Sequence, residues 1–197
     1  MLPEPIQVIL KVIEVFNRLN IPYLVGGSMA SAVQGVVRAT IDADLVADIH
    51  LEQVQQLSEM LENEFYIDPE KIMNAVLYNG NFNLIHLDSM FKVDVFILKR
   101  RPFDLNEMRR RVLRNVGDSP ADRLYFSSAE DTILAKLEWF RKSGEISERQ
   151  WRDVQGILGL QSKQLDFEYL QKWSLDLGIQ DLLQRALTEA NLPGQKL

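Results

Sequence analysis

The chain contains no cysteine. Disulfides, zinc–thiolate sites and thiol nucleophiles are therefore excluded. Histidine is nearly as scarce, His50 and His86 being the whole supply, and two imidazoles do not make a histidine-rich metal centre. Long apolar runs are missing: nothing approaches the roughly 20 residues of a membrane span. The opening MLPEPIQVIL also lacks the basic stretch and apolar core of a secretory leader. The expectation is a cytoplasmic chain with no membrane segment. An excess of positive charge is missing too. The chain has 28 acidic residues against 22 basic ones, a net charge of −6, whereas a protein that coats nucleic acid through bulk charge leans the other way. What remains is the balance of a folded domain: 197 residues, 46% hydrophobic and 25% charged. That balance excludes disorder and collagen-like repeats for the bulk of the chain.

Periodicity divides the chain into two halves. Residues 3–19 place Ile6, Ile9, Leu10, Ile13 and Phe16 at the spacing of one helix face, and Asn20 and Pro22 stop the helix. Tyr23-Leu24-Val25 reads as a buried strand running into a Gly26-Gly27 turn. Ser28 is expected to cap a short helix that Gly35 closes. From Ile41 to Ile49 apolar residues alternate with Asp42, Asp44 and Asp48, so the three aspartates fall on one face of a strand. Residues 51–65 predict an amphipathic helix, and a shorter one follows from Asp68-Pro69 to about Tyr78. Residues 82–87 and 91–98 predict two strands of a hairpin. After Pro102 the pattern is read as helical to the end, over 104–113, 128–142, 147–159, 166–177 and 179–190. Ser128-x-x-Asp131 is like a capping box, and Ser147-x-x-Gln150 matches one. The fold class is α+β (or α/β), with strands and helices over 1–102 and an α-helical part over 103–197.

The residues that carry chemistry are Gly26-Gly27-Ser28, Asp42-x-Asp44 and Asp94. Two glycines after a buried strand let the backbone approach a bulky anion without a Cβ clash, and a serine adds a hydroxyl donor. Two aspartates at i and i+2 on one strand project side by side, where their oxygens suit a hard divalent cation. Asp94 lies in Phe91-Lys92-Val93-Asp94-Val95-Phe96-Ile97, where an unpaired charge is costly to bury. A third carboxylate there would complete a cluster opposite the anion turn, the arrangement that metal-assisted phosphoryl or nucleotidyl transfer requires.

This pattern resembles the signature of the nucleotidyltransferase superfamily related to DNA polymerase beta. Ser128-Ala129-Glu130-Asp131, Lys136-Leu137-Glu138-Trp139-Phe140 and Glu148-Arg149-Gln150-Trp151-Arg152-Asp153 extend the resemblance to the AbiEii/AbiGii toxin-type nucleotidyltransferases. The likeness covers residues 23 to about 160. It implies a catalytic core with a small mixed sheet over 1–102 and a helical part over 103–197 that completes the nucleotide site. It implies that Gly26, Gly27 and Ser28 hold the outer phosphates of a nucleoside triphosphate. Asp42, Asp44 and Asp94 would bind Mg²⁺ (or Mn²⁺), with Asp94 also deprotonating the acceptor. Lys136 would contact a phosphate, and Asp153 beside Arg152 would complete the helical wall. The reaction would pass a nucleoside monophosphate to a hydroxyl of RNA or tRNA, a protein or a small molecule, and a toxin–antitoxin role would bring a partner protein.

Taken by themselves, several of these residues keep a second meaning. Arg38 reaches a phosphate or pairs with a nearby acid. A lysine beside a core stripe such as Ile133, Leu134, Leu137 and Phe140 ordinarily snorkels to water. His86, between Ile85 and Leu87, reads as a satisfied structural histidine. Lys99, Arg100, Arg101, Arg109, Arg110, Arg111 and Arg114 form either a solvated helix face or a track for an RNA backbone. The alternatives to transfer are an inactive nucleotide-binding module and a metal-dependent phosphohydrolase.

Overall fold

A computed structural model describes residues 2–37 and 39–192. The described residues divide into two compact units, one of residues 2–29 and 39–127 and the other of 30–37 and 128–192.

The first unit opens with helix α1 (Glu4–Arg18). Pro5 sits in the first turn, where its missing N–H costs nothing. Glu4 and Arg18 lie at the ends whose dipole charges oppose theirs. Asn20, at φ 54°, ends the segment in the left-handed region that asparagine tolerates. The strands are β1 (Tyr23–Val25), β2 (Asp42–Ala47), β3 (Phe65–Tyr66), β4 (Asn81–His86), β5 (Lys92–Ile97), β6 (Val112–Asn115) and β7 (Arg123–Phe126). They form one sheet in the order β3-β4-β5-β2-β1-β7-β6. The β2–β5 and β1–β7 pairs are parallel and the others antiparallel.

Helices α3 (Val54–Leu61) and α4 (Pro69–Tyr78) join α1 in one core with the sheet. Val8, Ile9, Val12 and Phe16 share it with Leu57, Leu61, Ile72, Ala43, Leu45, Val93 and Val95. Each large apolar side chain buried this way contributes about 1.5–3 kcal/mol. The second sheet face has a smaller apolar patch, in which Leu24, Leu98 and Met108 meet Val46 and Leu105, the last from α5 (Pro102–Arg110). Because strand side chains alternate, burying Ala43 and Leu45 on the first face commits Asp42 and Asp44 to the second.

The mixed sheet with flanking helices agrees with the expected fold class, and two local expectations are corrected. Residues 51–65 are not one helix: a 3-10 turn (Leu51–Gln53) leads into α3, and Phe65–Tyr66 leave to pair with β4. The helix expected over 104–113 stops at Arg110, and 112–115 and 123–126 are strands. Strand β7 is held by the distant β1, Val25 opposite Phe126, which local pattern does not reveal, and β6 pairs with β7 as a hairpin, Val112 opposite Phe126. The compact units part after Ser127.

The second unit contains α6 (Ala129–Lys142), α7 (Glu148–Gln161), α8 (Phe167–Asp176) and α9 (Gln180–Glu189). Helix α6 packs on α7 and α8, and α9 packs on the same two. Ile133, Leu134, Leu137, Val154, Ile157, Leu158, Leu170, Leu183 and Ala186 are fully buried. Ser128 caps α6 as its sequence promised, accepting from the Asp131 N–H at 3.1 Å and donating to Asp131 Oδ2 at 2.7 Å. Ser147 precedes α7 without a side-chain cap, and the Gln150 side chain accepts from Lys136. Among the described residues no helix is long and apolar enough to cross a membrane.

Candidate active site

Strand β2 carries Asp42 and Asp44, and β5 carries Asp94. The two strands run parallel in a register that sets Asp44 opposite Asp94 and Asp42 opposite Lys92. Residues opposite one another on paired strands share a face, so the three aspartates and Lys92 lie together. Strand β4 adds Asn83 beside Asp94. A slip of one residue in either strand would turn the carboxylates into the core, and the fully buried Ala43, Leu45, Val93 and Val95 hold the register against it.

Asp94 and Asp42 are engaged locally. Lys92 Nζ lies 2.7 Å from Asp94 Oδ2, with Asp94 14% and Lys92 41% exposed at the side chain. The hydrogen bond to Asp94 holds the Lys92 ammonium above its usual pKa. Partial desolvation opposes this, and the charges of Asp94, Asp42 and Asp44 add to it. Thr40 Oγ1 lies 2.8 Å from the Asp42 carbonyl oxygen and 3.2 Å from Asp42 Oδ1. Thr40 has one hydroxyl proton to give; with that proton on Asp42, the Ser28 hydroxyl 2.8 Å away donates to Thr40. Ser28 is thereby tied to Asp42 through one side chain. It does not cap its helix: α2 (Gly27–Val33) begins one residue earlier.

Gly26 and Gly27 do different things. Gly26 donates its N–H to the Asp44 carbonyl at 2.9 Å. Gly27 adopts φ +55°, and a Cβ built on it would lie 1.7 Å from Asp44 Oδ2. The glycine therefore makes room for a carboxylate of the acidic face. Gly27→Ala is expected to displace the Asp44 side chain and to add the cost of a left-handed alanine, about 1–2 kcal/mol. A lower melting temperature together with loss of any metal-dependent activity is the expected result. Wild-type melting and turnover would show that Asp44 does not need this space.

Among the described residues no three carboxylate or imidazole side chains form a ready-made metal cage. The donor chemistry nonetheless suits a hard divalent cation, since three carboxylates on neighbouring strands offer only oxygen. Lys92 shows that the face attracts positive charge, for its ammonium is held by Asp94 and lies in the field of Asp42 and Asp44.

The other residues singled out in the sequence are placed as follows. Arg38 lies outside the described residues. Lys136 Nζ, in the second unit, lies 2.8 Å from Asp153 Oδ2 and 3.1 Å from Gln150 Oε1, with 5% and 3% of the Lys136 and Asp153 side chains exposed. Ser31 donates to the same Asp153 oxygen at 3.2 Å. Lys136 thus does not snorkel to water. In the basic segment Arg100 pairs with Asp48 at 2.7 Å, Arg101 grips Asp104 with two bonds of 2.7 Å, and Arg111 stacks over Tyr125. Lys99, Arg109 and Arg114 are exposed. His86 is buried, with Nε2 3.2 Å from Lys11 Nζ and Nδ1 2.9 Å from Ser89 Oγ. A lysine ammonium only donates, so Nε2 accepts and the Nδ1 proton goes to Ser89. Sequence reasoning gave no role to Lys92 or Thr40. Alternation places Lys92 on the face of Asp94, and that was the available signal.

The mixed sheet with two aspartates on one strand, a third across a parallel pair and a glycine turn beside them shares its fold with solved nucleotidyltransferase structures. No family model matches the sequence, and no curated protein matches it. Solved structures match the fold. An antigenic nucleotidyltransferase-like protein from Paracoccidioides brasiliensis is 18% identical, with a TM-score of 0.55 over 81% of this chain and 78% of that one. The solution structure of the antibiotic-resistance factor ANT(2'')-Ia is 12% identical, with a TM-score of 0.55 over 94% of both chains. Its crystal structure with adenylyl-2''-tobramycin is 13% identical, with a TM-score of 0.55 over 87% of this chain and 95% of that one. At these identities the shared property is the fold.

Proposed function

We propose that this chain is a metal-dependent nucleotidyltransferase, which moves a nucleoside monophosphate from a nucleoside triphosphate to an acceptor hydroxyl. The observation that carries this reading is the shared face of Asp42, Asp44 and Asp94, with a positively charged side chain already drawn to it. Asp42, Asp44 and Asp94 would hold Mg²⁺ or Mn²⁺. Bound there, the ion would neutralise phosphate oxygens and lower the pKa of the attacking hydroxyl. Asp94 takes the hydroxyl proton onto a carboxylate oxygen. The acceptor oxygen then bonds to the α-phosphorus, the bond from that phosphorus to the bridging oxygen breaks, and pyrophosphate leaves. Gly26 and Gly27 keep side chains away from the phosphates, and Ser28 supplies a hydroxyl that can turn from Thr40 to a phosphate oxygen. Lys136, Asp153 and Arg38 are assigned to the nucleotide by the family resemblance.

The adenylylated tobramycin bound by a chain of the same fold supports a small-molecule hydroxyl as acceptor. The exposed Lys99, Arg109 and Arg114 support an RNA acceptor, with fewer available cations than the sequence suggests, because Arg100, Arg101 and Arg111 are engaged elsewhere. The toxin–antitoxin reading, with its partner protein, rests on the AbiEii/AbiGii resemblance alone.

The test is incubation with each α-labelled triphosphate and Mg²⁺, with total RNA in one arm and an aminoglycoside panel in another. Label on an acceptor, with pyrophosphate released in equal amount and none of either in EDTA, is the expected result. Nucleotide binding that ignores the metal, with no label transferred, would instead identify an inactive module. Phosphate or diphosphate release without labelling would identify a hydrolase.

A further inference from the structure

The Lys92–Asp94 pair has chemistry that nucleotidyl transfer does not itself require. Lys92 is the residue opposite Asp42 and stands two positions before Asp94, so its ammonium enters the acidic face from the same side as the carboxylates. Its Nζ at 2.7 Å from Asp94 Oδ2 occupies the hydrogen-bonding side of an oxygen that the proposed metal would need. The pair is also easy to open. Lys92 is 41% exposed, and a flexible four-carbon stem can carry its charge into water with little desolvation.

We propose that Lys92 is a built-in counter-ion that competes with the divalent cation for Asp94, keeps the nucleotide-free site weakly metallated and withdraws when metal binds. This rests on the reading of Asp42, Asp44 and Asp94 as metal ligands. Without its own cation the face would carry three adjacent carboxylates, which repel one another and invite any divalent ion. With Lys92 in place the face is partly neutralised, and an arriving ion must displace the ammonium. Weak metal binding alone then favours entry of the ion together with an anionic triphosphate, whose charge replaces what Lys92 gives up.

The experiment is titration of the intact, nucleotide-free protein with Mn²⁺ alone. Free ion is counted by electron paramagnetic resonance, and the melting temperature is followed in parallel. Lys92→Met is expected to bind Mn²⁺ about three- to fivefold more tightly than wild type, the effect of removing an exposed ion pair to the ligand Asp94. Its melting temperature should rise more steeply with Mn²⁺, because a ligand stabilises the state it binds. Lys92→Arg keeps the charge and should stay near wild type. A Lys92→Met protein that binds Mn²⁺ equally or less tightly overturns the proposal. If wild type still transfers label in the assay above, only the role of Lys92 falls. If no variant binds Mn²⁺ and wild type transfers nothing, the metal-site reading falls and this inference with it.

Discussion

Replacing Asp94 by asparagine should lower the proposed nucleotidyl transfer by about a thousandfold or more, since in the mechanism proposed above one change removes both a metal ligand and the proton acceptor. The fold should survive. Asp94 lies at the edge of solvent, its partner Lys92 is well exposed, and an ion pair of that kind contributes at most about 1 kcal/mol. Asparagine also keeps a carbonyl that Lys92 can reach. Asp42→Asn should behave alike, because the Thr40 hydroxyl can still donate to the asparagine oxygen. Single-turnover rates together with thermal melts check both halves of the expectation. A variant that melts like wild type and still turns over would remove that carboxylate from the chemistry.

The second large effect concerns stability. Lys136→Met would leave Asp153 as a buried carboxylate without its counter-ion, and breaking a buried pair in this way costs about 3–5 kcal/mol. The double variant Lys136→Met/Asp153→Leu removes both charges and should recover most of the loss, because apolar residues of similar volume can replace a buried pair. Urea unfolding of the two single variants and the double variant measures this directly. The double variant also isolates the nucleotide role. If it unfolds like wild type but its triphosphate Kd rises tenfold or more, the Lys136–Asp153 pair serves the nucleotide. If the Kd is unchanged, its work is to join α6 to α7.

Much of the site could be read from the sequence because its signals are short-range. Alternation alone placed Asp42 and Asp44 on one strand face, and a charged residue inside an apolar strand marked Asp94. The Ser128 cap was equally local, since acceptor and donor are three residues apart. What escaped depends on contacts between distant segments. Strands β6 and β7 are short and arginine-bearing; β7 is held by β1, far away along the chain, and β6 follows as the other arm of its hairpin. Gln150 promised a capping box but finds a better donor in a buried lysine on another helix. Ser28 looked like a cap, yet Thr40 claims its hydroxyl. Lys92 showed its face, but its place opposite Asp42 becomes visible only when β2 lies beside β5 in this register.

The parallel pairing of Val25 with Phe126 has a consequence for how the chain assembles. The sheet cannot close at β1 until residues far downstream have been synthesised. An N-terminal fragment ending near residue 102 would therefore expose an unsatisfied strand edge and lose the apolar cover supplied by Leu124 and Phe126. Such a piece is prone to stick to copies of itself. The acidic face is encoded early in the chain, but the sheet that carries it is completed late, by a hairpin that bears none of the three aspartates.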